Sequence, residues 1–168
     1  MELCIIRHAP AVDRGAPGYE RDADRPLTDR GKDKMERAAH GLSRLWAPGM
    51  VVSSPFVRAR ETAEIVQAAC SNPPLRFSDA LATGDHEEVL EDVRDLGRDA
   101  VAVVGHEPWV SGLLSFVLTG RDHAMAAPFK KGAAALVRFA GDAPAAGSGE
   151  LAWFLQPAAL RRLAKRRD

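Results

Sequence analysis

Apolar runs too short to be helices recur through this chain, and each is followed by residues at helical spacing. Leu3-Cys4-Ile5-Ile6, Met50-Val51-Val52 and Ala100–Val104 are continuous apolar segments of strand length, as expected of strands buried on both faces. After the first comes a long Pro-, Gly-, Asp- and Arg-rich loop over 9–26, a length that in compact domains tends to be functional. Thr28 then reads as an N-cap, with Met35, Ala38, Ala39, Leu42, Leu45 and Trp46 on one helical face before Pro48-Gly49 stops it. After the second strand, Ser54-Pro55 reads as an N-cap with proline in the first helical position, opening a helix to about Cys70. Leu75–Ser78 reads as a third strand, and Val89, Leu90, Val93 and Leu96 as an amphipathic helix. Val110–Leu118 is apolar nearly all round and predicts a buried helix. Ala134–Phe139 and Leu151–Leu155 close the pattern as two strands joined without a helix, before a last helix from Pro157. Strands alternating with helices predict an α/β/α sandwich of three layers on a mostly parallel sheet, with the last two strands as an antiparallel edge.

Composition narrows the function classes. The 168 residues suit one domain, and 46% hydrophobic with 27% charged residues excludes a disordered chain. Lys+Arg and Asp+Glu each number 23, so no net field draws the chain toward nucleic acid or a membrane. Five of the last eight residues are basic (Arg161, Arg162, Lys165, Arg166 and Arg167), which reads as the solvated last turn of a helix. Cys4 and Cys70 have no metal-type or disulfide-framework spacing. No apolar run reaches the ~18 residues of a membrane span, and the apolar start ends at Arg7 without a basic leader. A cytoplasmic domain is the expectation.

In open α/β sheets, ligands bind outside the carboxyl ends of the strands. Here those ends deliver Arg7-His8, then Arg58 in the first turn after the second strand, then His106 directly after Gly105. Two guanidiniums and two imidazoles make a poor zinc site and a good phosphate site, because guanidinium forks match phosphate oxygens. A neutral imidazole among them can also attack phosphorus.

Four segments carry a resemblance. Arg7-His8-Ala9, Leu27-Thr28-Asp29-Arg30-Gly31, Ser54-Pro55-Phe56-Val57-Arg58-Ala59-Arg60-Glu61-Thr62 and Val104-Gly105-His106-Glu107-Pro108 resemble, in order, the motifs of the histidine phosphatase (phosphoglycerate mutase-like) superfamily. Ala9 stands where that family usually has glycine. The short length makes the chain most similar to the compact SixA-type phosphohistidine phosphatases. About forty residues separate Thr62 from the strand at 101, and they already hold a strand and a helix, which leaves little room for the helical cap of larger members.

The resemblance implies one histidine phosphatase domain over 1–168, with His8 as nucleophile and Arg7, Arg58 and His106 around the phosphate. It implies that Arg25 leans over the phosphate from the long loop. No metal or cofactor is expected, since arginines supply the positive charge. Asp85, Glu87 and Glu88 are the candidates for a general acid, although acidic residues also simply suit a helix N-terminus. The expected partner is a phosphohistidine-bearing protein or a small phosphorylated substrate. A non-catalytic phosphate-binding module is the rival reading. His40 and His123 read as solvated, and Trp46, Trp109 and Trp153 as core.

Overall fold

The computed structural model describes residues 1–165. Six strands form one sheet in the order β3-β2-β4-β1-β5-β6: β1 Glu2–Arg7, β2 Met50–Ser53, β3 Leu75–Phe77, β4 Ala100–Gly105, β5 Ala134–Phe139 and β6 Gly149–Leu155. β1 pairs parallel with β4, and β2 parallel with both β3 and β4. β5 runs antiparallel to β1 and β6, which gives the expected edge. Alternation along β1 sends Leu3 and Ile5 into one core cluster and Cys4 and Ile6 into the other, as a period of two requires.

Helices cover both faces. α1 (Asp29–Ser43), α2 (Val57–Ala69) and α6 (Pro157–Leu163) pack on the Cys4–Ile6 side through Met35, Ala63 and Leu160. α3 (Ala80–Thr83), α4 (His86–Asp95) and α5 (Trp109–Thr119) pack on the other through Leu81, Leu90 and Leu114. This is the three-layer sandwich. α4 belongs to a layer, and no large helical cap stands over the sheet. Among the described residues no helix is long and apolar enough to cross a membrane.

Local chemistry explains the boundaries. The Thr28 hydroxyl accepts the Gly31 amide at 3.0 Å and caps α1 as expected. Gly31 itself is required by close approach: a Cβ there would lie 2.0 Å from the Pro10 carbonyl oxygen.

Three sequence expectations need correction. α1 ends at Ser43, so Leu45 is exposed and Trp46 is half-buried, its indole N–H donating to Glu2 at 2.6 Å. Trp109 and Trp153 are also half-buried, not core. Ser54 does not cap α2: Phe56 is the N-cap residue, without a side-chain bond, and Pro55 lies outside the helix. Arg166 and Arg167 lie outside the described residues.

β1 and β4 are neighbours, yet β1 continues into α1 on one face while β4 continues into α5 on the other. Chains leaving adjacent strands in opposite directions open a crevice at their carboxyl ends.

Candidate active site

Past each strand end the backbone runs on in register for one residue: the His8 amide bonds the Gly105 carbonyl at 3.0 Å and the Ser54 amide bonds Val104 at 2.9 Å. That extension brings the His8 and His106 rings to 5.1 Å between centroids. Both rings are buried, as is Arg58.

His8 Nδ1 lies 2.7 Å from the Ala9 carbonyl oxygen. A carbonyl can only accept, so Nδ1 carries the hydrogen and Nε2 keeps a free lone pair. Burial first, then the His106 ring and the Arg58 and Arg7 charges, push the His8 imidazole down to about 2 against the help of the Ala9 bond. Burial and Arg58 likewise push His106 down to about 3, with Asp22 opposing. Both rings are therefore neutral at physiological pH.

His106 Nε2 lies 2.8 Å from the Ser54 hydroxyl, which accepts the Phe56 amide at 3.3 Å. Among the described residues no other acceptor takes the hydroxyl hydrogen, so we assign it to Nε2, which places the ring hydrogen on Nδ1. Arg7 Nη1 donates to the Phe129 carbonyl at 2.5 Å. Phe129 is fixed in turn by Glu107, which accepts its amide at 2.9 Å, and by Gln156, which bonds the flanking Lys130 amide and Pro128 carbonyl at 3.1 Å each.

Arg58 Nη1 donates to the Asp22 backbone oxygen at 2.6 Å and Nη2 to its carboxylate at 2.8 Å. The same carboxylate accepts from Arg25 Nε and Nη2 at 3.0 and 2.8 Å and from Arg14 at 3.0 Å. Burial would raise the Asp22 carboxyl, but these arginines hold it well below the usual range. Arg25 spends its remaining nitrogen on the Val12 carbonyl, so its fork is committed within the loop.

After these bonds are assigned, three buried side-chain polar atoms lack a partner among the described residues: Arg7 Nε, Arg58 Nε and His106 Nδ1. Each is a donor, and each belongs to the crevice around His8. Buried donors without acceptors are rare and costly. They call for an anion with several acceptor oxygens. Among the described residues no three His, Cys, Asp or Glu side chains are grouped as a metal would need.

Residues 3–86 match the profile of the histidine phosphatase superfamily (branch 1). The chain belongs to this superfamily. An uncharacterized protein of Picosynechococcus sp. is 35% identical to it over 116 residues, 64% of this chain and 67% of its own. The solved structure of the protein histidine phosphatase SixA complexed with tungstate superposes with a TM-score of 0.79 at 29% identity, over 95% of this chain and 99% of its own. A structure from Agrobacterium tumefaciens described as a phosphohistidine phosphatase SixA gives 0.75 at 27% identity, over 93% and 97%. A mycobacterial glucosyl-3-phosphoglycerate phosphatase, 15% identical over 92% of this chain and 99% of its own, shares the fold with a TM-score of 0.70. The chain is a SixA-like phosphatase.

Among the described residues the acidic candidates make no hydrogen bond or ion pair with Arg7, His8, Arg58 or His106. Asp85 caps α4 by accepting the Glu88 amide at 3.0 Å, and Glu87 and Glu88 are exposed in that first turn. His86 is buried between Asp122 and the Trp109 carbonyl, bonded at 2.9 and 3.0 Å. His40 and His123 are exposed. Ala9 fits in place of glycine because the turn after β1 does not need a positive φ, and its methyl is buried in the core.

Asp22 and Glu107 are functional residues that the sequence reading does not single out. An acidic residue inside a loop holding Arg14, Arg21 and Arg25 was a signal for the first, and adjacency to His106 for the second. For Phe129, which contributes only a carbonyl, no signal existed.

Thr62 ties α2 to the turn after β1. Its hydroxyl donates to the Arg58 carbonyl at 2.7 Å and accepts the buried Ala9 amide at 3.0 Å. Thr62→Val leaves that amide unsatisfied, so we expect a loss of about 1–3 kcal/mol in stability. Calorimetry should show the melting midpoint fall by several degrees, with kcat reduced as the His8-Ala9 turn loosens.

The neutral rings also set an acid dependence. Both have folded values depressed below the ~6.5 of an unfolded histidine. Their contribution to stability is complete above about pH 6.5 and is lost as pH falls, because only the unfolded chain takes up the protons. Each ring should contribute a slope of about 1.4 kcal/mol per pH unit below that point. Denaturant titrations between about pH 7.5 and 5.5 check this; His106→Gln should reduce the slope by close to one proton.

Proposed function

We propose that the protein dephosphorylates phosphohistidine on a protein, through a covalent phospho-His8 intermediate. The observation that carries the reading is the set of three unpartnered donors, Arg7 Nε, Arg58 Nε and His106 Nδ1, around a neutral His8 whose Nε2 is free. In the first step His8 Nε2 forms a bond to phosphorus as the P–N bond of the substrate breaks, and the substrate imidazole leaves with a proton from solvent. The equatorial oxygens, which carry the charge of a loose transition state, face the three donors. Water then attacks phosphorus, inorganic phosphate departs, and His8 is restored. Arg25 acts as a positioning residue by holding Asp22, which holds Arg58.

The leaving group follows from the carboxylates. An alkoxide needs a proton in the transition state, worth about 10²–10⁴ in rate. Asp22 is bound to three arginines, Glu107 to Phe129 and Ser111, and Asp85 to its own helix. Imidazole leaves with far less help than an alkoxide. The experiment measures turnover of a phosphohistidine protein beside p-nitrophenyl phosphate and a serine phosphate ester. A kcat/KM for phosphohistidine at least about 10²-fold above that for the serine ester is expected. Equal or inverted values would replace this reading with that of a small-ester phosphatase. Activity is expected to survive exhaustive chelation.

A further inference from the structure

A second cavity opens beside the crevice, of about 150 Å³, walled by Ala9 and floored by Met35 and Pro157. Lys34, Lys131 and Arg161 line it, and no carboxylate does. None of these three makes a salt bridge or side-chain hydrogen bond to the described residues. Lys34 and Arg161 are half-buried. In a chain with equal numbers of acids and bases, three uncompensated cations around one hollow are not a consequence of composition. They repel one another, and low-dielectric walls concentrate their field in the opening.

The position ties this hollow to the substrate. Ala9 directly follows His8, and the Gly132 amide, beside Lys131, bonds the backbone oxygens of Arg7 and His8 at 3.1 Å. The α1 N-terminal half, the segment before β5 and the start of α6 all reach the rim where β1 ends. Lys34 on α1, Arg161 on α6 and Lys131 in the turn before β5 therefore stand next to the nucleophile, on the face opposite α5. The hollow is large enough to admit a carboxylate.

We propose that this cavity is a second anion site, taking an acidic side chain that lies beside the phosphorylated residue of a protein substrate. The proposal rests on the reading of a protein substrate, and its test separates the two. Four peptides carry phosphohistidine or phosphoserine, flanked by glutamates or by alanines. Each is titrated as a competitor of p-nitrophenyl phosphate hydrolysis, a readout that needs only phosphatase activity.

In the wild type, glutamate-flanked peptides should compete at least about fivefold better than their alanine-flanked pairs, and added salt should shrink the difference. Lys131→Glu/Arg161→Glu should erase or invert that preference and leave kcat for the small ester within about twofold, because the ester does not extend to the cavity. Lys131→Ala, at an exposed position, should show a partial loss where the double variant folds poorly. Arg162→Glu, one residue along α6 and outside the cavity, should keep the preference.

Equal competition by both flanks in the wild type overturns the proposal. So does an undiminished preference in the double variant, or a loss in Arg162→Glu as large as in the double variant, which would signal a diffuse field. Failure of the phosphohistidine reading shows separately, as no phosphate released from either phosphohistidine peptide.

Discussion

His8→Ala is expected to lose at least about 10³-fold in kcat on any phosphorylated substrate, the scale seen when a nucleophile is removed and its surroundings remain. The fold should survive, since the ring's internal bond is to one backbone oxygen, that of Ala9. Tungstate should still bind to Arg7, Arg58 and His106, so calorimetry separates loss of chemistry from loss of the site. In the wild type, a rapid quench that avoids acid should trap phosphate on His8, because phosphohistidine survives neutral but not acidic conditions. Label on any other residue, or near-normal turnover by His8→Ala, would overturn the covalent assignment.

Arg58→Lys should cost about 10²-fold in kcat, with the charge conserved. The guanidinium spends two nitrogens on Asp22 and leaves the third, Nε, buried without a partner. A lysine has one nitrogen, Nζ, in place of three held in a plane, so it cannot keep both Asp22 contacts and still present a fixed donor to the anion. Competitive inhibition by vanadate or tungstate should weaken in parallel, since either imitates the transferring group among fixed donors. Asp22→Asn should give the same direction with a smaller loss, because the amide removes the negative charge and one of the two acceptor oxygens while Arg58 keeps the backbone oxygen. Unchanged kcat and vanadate inhibition in Arg58→Lys would mean that the second strand does not feed the site.

Much of the fold was legible because strands and helices announce themselves over a few residues. The apolar runs became β1, β2 and β4, and Thr28 capped α1. Local reading failed where a polar residue had a distant competitor. Ser54-Pro55 has the sequence of a helix start, yet its hydroxyl is taken by His106 and the helix begins later. Leu45 continues the apolar spacing of α1, yet the helix stops short of it and leaves it exposed. The family resemblance aims Arg25 at the phosphate, but its donors face Asp22 and Val12.

The sequence alone determined the alternation of strands and helices, and with it which residues leave the carboxyl ends of the sheet: Arg7, His8, Arg58 and His106. That much follows from side-chain periodicity and from the chain direction within a parallel sheet. Tertiary structure decided which nitrogen of each residue is free. Asp22 reaches Arg58 across 36 positions, Ser54 reaches His106 across 52, and Thr62 reaches Ala9 across 53. It also gathered Lys34 of α1, Lys131 of the turn before β5 and Arg161 of α6 around one hollow. Hydrogen bonds and ion pairs act over a few ångströms, so partners this far apart in the chain are chosen by how the layers pack, and no local pattern encodes them.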